Sequence, residues 1–295
     1  MRLINFSVGD GTSRFGGISS DGGVIDLTNV GTFRDLNSLV QAGPKAWDEL
    51  ATLIKEAEVV IPRAEVTLLA PFSELARNIF CVGKNYVEHA TEFQGSGFDD
   101  ANKSGQDIPK HPIFFTKADS TIIGPDQPIP ASADPLESTD YEGELTVVIG
   151  KAGYRVDRSQ AMDHIFGYTI INDVTSRGLQ KKHNQWFLGK NIDGFCPMGP
   201  VVVTVDEIAN VSDLELVTTV NGEQRQRAKL SQLIFDIPEL IVTLSSVMKL
   251  NPGDLIATGT PAGVGVGFSP PKFLKKGDQV DITIKPIGTL SNPVI

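Results

Sequence analysis

Glu142 and Glu144 stand two positions apart in the stretch DYEGELTVVIG, residues 140–150, at the entrance to an apolar run. In an extended strand alternate side chains share a face, so both carboxylates point the same way, roughly 7 Å apart along the chain. Two like charges brought that close and taken out of water are costly unless a cation offsets them. A third acid, Asp173, ends the apolar run in GYTIIND. Three carboxylates with no matching cysteine and histidine set suit a hard divalent cation, Mg²⁺ or Mn²⁺ and also Ca²⁺, with water or substrate completing the shell. A solvated strand face carries the same E-x-E pattern, so the pair gains its meaning from the rest of the chain.

Two further stretches supply chemistry of a different kind. In GKNYVEHATEF, His89 and Glu92 are three residues apart, the spacing that puts both on one face of a short helix. The carboxylate can then hold the imidazole in one tautomer and raise its basicity, an acid/base pair, while Glu88 lies beside it as a decoy. Directly after it, Glu92 to Pro112 is long, polar and rich in glycine, the pattern of a lid or binding loop. The segment from Ser176 to Ile192 carries Arg177, Lys181, Lys182 and Lys190 and no acid. In a chain of net charge −10 it is a local positive enclave of the kind an anionic substrate needs to approach three carboxylates. Lys181 and Lys182 read as a solvated helix face, whereas Lys190 follows QWFLG and reads as partly enclosed. TGTPAGVGVGF lacks the lysine and glycine spacing of a nucleotide loop and reads as a tight turn offering backbone N–H groups and the Thr260 hydroxyl.

The elements that must position these residues are mainly strands. Residues 1–72 read as a small α+β unit, with short strands, helical FRDLNSLVQAG and KAWDELATLIKEAE, and extended EVTLLAP. Residues 73–295 hold the strand-like runs PIFFTK, ELTVVIG, FGYTIIND, MGPVVVTV, LELVTTVNG, DLIATGTP and DQVDITIK. Helical periodicity is clear only in SQAMDHIF and LSQLIFDIPELIVTLSSVMKL, where Pro238 fits a first helical turn. The expected class is α+β, mainly β, and not a doubly wound alternation. At 295 residues, 40% hydrophobic and 21% charged, the chain has ample core. Its negative charge argues against nucleic acid or an anionic membrane as partner and favours small molecules. The stretch MRLINFSVGDGTS has no signal-peptide core and no run is long enough to span a bilayer, so a cytoplasmic location and two buried free thiols, Cys81 and Cys196, are expected.

Taken in order, GKNYVEHATEF, DYEGELTVVIGK, INDVTSRGLQ, FLGKNIDGFCPMGP and TGTPAGVG resemble the fumarylacetoacetate hydrolase superfamily from about Asn78 to Lys285. The resemblance implies a mixed β-roll of packed sheets, a small N-terminal domain and a homodimer. It implies that Glu142, Glu144 and Asp173 bind the metal, that His89 and Glu92 form a lid dyad, that Lys190 is the active-site lysine, and that Arg177, Gln180 and Thr260 contact substrate. Lys117-Ala118 stands where the family usually has Lys-Pro. The implied activity is metal-dependent hydrolysis of a C–C bond in a 2,4-dioxo acid, an acylpyruvate such as maleylpyruvate or fumarylpyruvate, giving pyruvate and a carboxylic acid. The alternative on the same residues is decarboxylation or isomerisation of an oxo-diacid such as oxaloacetate. A third reading, a scaffold with a structural ion, needs no acid/base pair.

Overall fold

The computed structural model describes every residue except 10, 29, 31, 32, 58, 59, 73, 99–107 and 184. The chain opens with β1 (Arg2–Ser7), β2 (Arg14–Ile18), β3 (Val24–Asp26), helices α1 (Leu36–Ala42) and α2 (Pro44–Glu56), and β4 (Thr67–Leu69). Next come β5 (Ile79–Gly83), α3 (Val87–Gly95), β6 (Ile113–Lys117), β7 (Ile122–Ile123), β8 (Thr139–Asp140), β9 (Gly143–Ile149), β10 (Ile165–Asn172), β11 (Thr175–Ser176), α4 (Arg177–Lys182), α5 (Phe187–Lys190) and β12 (Cys196–Thr204). The rest forms β13 (Glu215–Val220), β14 (Glu223–Lys229), α6 (Ile237–Val247), β15 (Leu255–Ala257), β16 (Gln279–Ile284) and β17 (Gly288–Pro293). The class is α+β with strands predominant.

The main sheet runs β3-β2-β1-β12-β10-β9-β15-β5-β6, with β4 on β1 and β7 on β12. Since β1 pairs antiparallel with β12, the strands before residue 73 are hydrogen-bonded into the same sheet as those that follow. A second sheet, β14-β13-β16-β17, packs on one face, where Leu145, Val147 and Ile149 of β9 join Leu216 and Ile282. Val148 points the other way, into a cluster with Leu36 and Leu39 of α1 and Leu50 of α2. That is why β9 reads as a continuous apolar run: all seven of its residues are buried, with a covered face on each side. By the same alternation Glu144 shares the face of Val148. Between the two glutamates, Gly143 is required by close approach, because a Cβ there would lie 2.6 Å from Thr218 Oγ1 of the second sheet.

Two helical expectations change. SQAMDHIF forms 3₁₀ turns over Arg158–His164, and Ile165 and Phe166 enter β10, drawn by pairing with β9. Of LSQLIFDIPELIVTLSSVMKL, only Ile237–Val247 is α-helix; Asp236 caps it by accepting from the Glu239 N–H, and Pro238 sits in the first turn as its missing N–H permits. Cys81 and Cys196 are free and buried. Among the described residues no helix is long and apolar enough to cross a membrane.

Candidate active site

The three carboxylates meet where β9 begins and β10 ends. Strand register sets Ile171 opposite Glu144, and the Asp173 N–H donates to Glu142 O at 2.8 Å, which turns Asp173 back beside β9. Asn172 Oδ1 accepts from the Glu142 N–H at 2.9 Å and fixes the same corner. As a result Glu142, Glu144 and Asp173, all buried, each offer an oxygen within 4.8 Å of the others.

Buried cations surround this cradle. Lys190 Nζ lies 2.7 Å from Glu142 Oε2 and 2.8 Å from Asp173 Oδ2, and Arg177 Nη2 lies 2.7 Å from Glu142 Oε1. Lys117, at the end of β6 and wholly buried, places Nζ 2.9 Å from Asp173 Oδ1 and donates to Val174 O and Lys190 O. Burial works against a charged Lys190, but the Asp173 and Glu142 carboxylates outweigh it and hold the ammonium above the usual lysine range. Glu142 is likewise pushed up by burial, yet Lys190 and Arg177 bring its carboxyl down to about 2.

Glu144 differs. Its Oε2 accepts from the Gly259 N–H at 2.8 Å, but among the described residues no ion pair reaches it. Burial, and then the charges of Asp173 and Glu142, push its carboxyl well above the ordinary range. A buried carboxylate short of positive charge, beside two others, is the condition a divalent cation relieves. The all-oxygen donor set fits a hard ion.

Across the pocket, α3 carries His89 and Glu92, the expected acid/base pair. His89 is 5% exposed, with Nδ1 3.5 Å from Glu92 Oε2, a contact longer than a formed hydrogen bond. Glu92 is held from the other side, its two oxygens accepting from the Gly263 N–H at 3.0 and 3.1 Å. One residue on, Phe93 packs with Val264 and Val266. The loop that receives the helix is tied down by Asp140, which accepts from the N–H groups of Gly265 (2.6 Å) and Val266 (3.0 Å) and from Arg177 Nε (2.8 Å). The TGTPAGVG turn therefore offers backbone N–H groups to Glu144, Glu92 and Asp140.

The pocket between α3 and the cradle encloses about 310 Å³ of non-atom space, part of it open to solvent. His89, Glu142, Glu144, Arg177, Gln180, Lys190 and Thr260 line it. Asp173 is fully buried and touches Lys190, while Glu92 bonds the Gly263 loop. Gln180 Oε1 accepts from Arg177 Nη1 at 3.1 Å. The Thr260 hydroxyl donates to Gly143 O (3.0 Å) and accepts from Gln226 Nε2 (2.7 Å), so it braces the strand between the glutamates. Lys181 and Lys182 are exposed. Of the lid stretch, α3 continues to Gly95, and residues 99–107 lie outside the described residues. Sequence reasoning passed over Lys84, Lys117, Asp140 and Trp186. The one available signal was a lysine closing the apolar run PIFFTK.

A family model for the C-terminal part of fumarylacetoacetate (FAA) hydrolase matches residues 78–295. Oxaloacetate tautomerase YisK of Bacillus subtilis (strain 168) is 52% identical over 231 residues, 78% of this chain and 74% of that one. Fumarylacetoacetate hydrolase from Exiguobacterium antarcticum superposes with a TM-score of 0.84 at 40% identity, covering 100% of this chain and 99% of that one. Maleylpyruvate hydrolase from Sphingobium sp. SYK-6, solved with manganese(II) and pyruvate, gives a TM-score of 0.77 at 30% identity, covering 100% and 99%. With the match spanning the cradle, the lid and the turn that receives it, the chain belongs to the fumarylacetoacetate hydrolase family.

Proposed function

We propose that this chain catalyses keto–enol tautomerisation of a small oxo-diacid of the oxaloacetate class, with Mg²⁺ or Mn²⁺ held by Glu142, Glu144 and Asp173. The observation that carries this reading is the pocket lining, in which the buried imidazole of His89 faces the carboxylate cradle. Isomerisation of a small oxo-diacid needs one group that takes and returns a proton. The 52% identity to an oxaloacetate tautomerase supports the same choice and ranks it above the hydrolysis the sequence put first.

A divalent cation held by Glu142, Glu144 and Asp173 would supply Lewis acidity toward an oxo acid. His89, oriented by Glu92, takes a proton from C3. The C3–H electron pair becomes the C2–C3 double bond, and a proton returns to the C2 oxygen, so no atom is gained or lost. Lys190, fixed as a cation beside the cradle, favours the negative charge that develops on that oxygen. Lys117 and Arg177 keep Asp173 and Glu142 in place, and Gln180, turned by Arg177, offers its NH₂ to substrate. Phe93, Phe115 and Trp186 on the pocket wall limit water.

Hydrolysis of an acylpyruvate stands second, favoured by the maleylpyruvate hydrolase neighbour solved with manganese(II) and pyruvate. There His89 would deprotonate a water, whose oxygen bonds C4; the C3–C4 pair leaves with a pyruvate enolate, which takes the proton back at C3, so pyruvate and a carboxylic acid result. The two part on a panel: decay of enol absorbance in fresh oxaloacetate, and pyruvate release from acylpyruvates, each with Mg²⁺ or Mn²⁺. We expect tautomerisation well above background and a fall of about 100-fold or more in His89→Ala. Cleavage of an acylpyruvate with oxaloacetate left at its background rate would give the site to hydrolysis.

A further inference from the structure

We propose that Trp186 sets the length of oxo acid that this site admits, favouring four-carbon chains over longer ones; the inference deepens the oxo-diacid reading above and rests on it. Trp186 directly precedes α5 and lines the same pocket as Glu142, Glu144 and Lys190. Its ring lies against Gly83 at the end of β5, where a Cβ would fall 2.1 Å from Trp186 Cζ3 and 2.6 Å from Cη2. Gly83 has no positive φ, so the backbone itself does not call for glycine there; the indole does. The ring also meets Phe115 of β6 edge to face, with centroids 5.4 Å apart and planes at 79°. The same stretch of chain ties it to the cradle. The Lys190 N–H donates to Trp186 O at 3.1 Å, so the indole and the cradle lysine belong to one helical turn. Asn191 fastens that turn to β6: its Nδ2 donates to Thr116 O (3.1 Å) and Phe187 O (2.8 Å), and its Oδ1 accepts from the Ala118 N–H. A ring set against a glycine, an aromatic edge and a pinned helix keeps its place.

The pocket lining divides by polarity. Glu142, Glu144, Arg177 and Lys190 form its charged side, and Phe93, Phe115 and Trp186 its aromatic side. The two sides adjoin: Lys190 Nζ is 5.1 Å from the centre of the Phe115 ring, and Arg177 Cζ is 5.4 Å from that of Phe93. An oxo acid that presents its 1-carboxylate and oxo oxygens to the charged side lays its remaining carbons along the rings. Phe115 stands beside Lys190 and Trp186 packs on Phe115, so each added methylene comes up against aromatic carbon. That carbon cannot step back, because the indole already touches the backbone of Gly83. Oxaloacetate ends one carbon past C3, whereas a longer diacid continues into the wall. One methylene at an apolar wall discriminates by about 10- to 200-fold.

The test compares two probes by calorimetry on the Mn²⁺-loaded protein: pyruvate, which is the carboxylate and oxo end alone, and 2-oxoadipate, which continues beyond C3. The parent should bind 2-oxoadipate at least about 10-fold more weakly than pyruvate. Trp186→Ala should tighten 2-oxoadipate by about 10-fold or more and leave pyruvate within about twofold. Trp186→Leu, which keeps a smaller apolar side chain, is scored by the same two affinities and should fall between. Pyruvate binding is the control for an intact cradle; where Trp186→Ala loses it, Trp186→Leu alone decides. A parent that binds both probes alike, or a ratio of affinities that neither variant changes, overturns the proposal. So does equal loss of both probes in both variants, which would make the ring a brace for Lys190. Failure of the oxo-diacid reading looks different: the length limit is present and Trp186-dependent, yet oxaloacetate is not turned over.

Discussion

The cradle and the lid face each other across one pocket and are built on opposite principles. Glu142 and Glu144 belong to the start of β9, with β10 on one side and β15 on the other, and the Asp173 N–H is bonded back to Glu142. Their charges are set by folding of the sheet itself. The lid is nine residues of helix, Val87–Gly95, whose N-cap Tyr86 makes no side-chain capping bond. It is held by Glu92 on one N–H and by Phe93 in a cluster with Val264 and Val266. The difference separates two jobs. Electrostatic stabilisation demands groups that do not reorganise, whereas a proton-transfer group beside an enterable pocket must be placed by docking. Damage to the cradle should therefore appear in ion affinity and stability, and damage to the lid in turnover alone.

The largest effects are expected within the cradle, where they split in direction. Glu142→Gln and Glu144→Gln should each lower Mn²⁺ affinity by about 100-fold or more, since each removes a charged ligand. The metal-free proteins should differ. Glu142→Gln strands Lys190 and Arg177 without their shared carboxylate and should cost about 3–5 kcal/mol of stability. Glu144→Gln removes a buried acid that makes no ion pair among the described residues and whose charge burial and its two acidic neighbours oppose, so its metal-free melting temperature should equal or exceed the parent's. Calorimetric titration and thermal melts of both variants check this. Equal destabilisation would mean that the two glutamates are not distinct in their surroundings.

Next in size is a substitution that touches only the docking. A Cβ on Gly267 would lie 2.1 Å from Glu92 Oε1, and Gly267 has no positive φ to strain. Gly267→Ala should push the Glu92 carboxylate from its seat and leave the backbone as it is. Turnover should fall about 10- to 100-fold, the range for a mispositioned general base, with Mn²⁺ affinity within about twofold. Loss of metal affinity in this variant would join lid and cradle into one unit and end the comparison.

How much of this was legible in the sequence follows the same division. The E-x-E pair, the acid at the end of the next apolar run and the His89/Glu92 spacing are local patterns, and strand and helix periodicity place them without knowledge of the rest of the chain. Pro238 was legible for the same reason, as a residue suited to a first turn. Lys117 was not: its partner is Asp173, and only the return of β6 alongside β5 brings the two together. Asp140 reads as one more acid before the glutamates until Gly265 and Val266 arrive from the far end of the chain. Thr260, expected to face substrate, lines the pocket and also braces Gly143, a second role that only the folded sheet reveals. SQAMDHIF went astray because pairing with β9 outweighed local helical periodicity.

The smallest effect should come from Glu88, which tests whether the lid works through one acid or through its charge as a whole. Glu88 is exposed, in the first turn of α3, next to His89 in sequence and one helical turn before Glu92. A carboxylate there favours the helix through its dipole by roughly 0.3–1 kcal/mol. Glu88→Gln should loosen the helix by less than that amount, because it also relieves the like-charge pair with Glu92 one turn on, so the open population should rise at most about fivefold. Amide exchange over Val87–Gly95 should quicken accordingly. Turnover should stay within about twofold, because the seat of Glu92 on Gly263 and its contact with His89 are untouched. A loss as large as that of Gly267→Ala would show that general helix stability, and not the placement of one carboxylate, limits the lid. Faster exchange with turnover preserved would separate the stability of the lid helix from the alignment of its base.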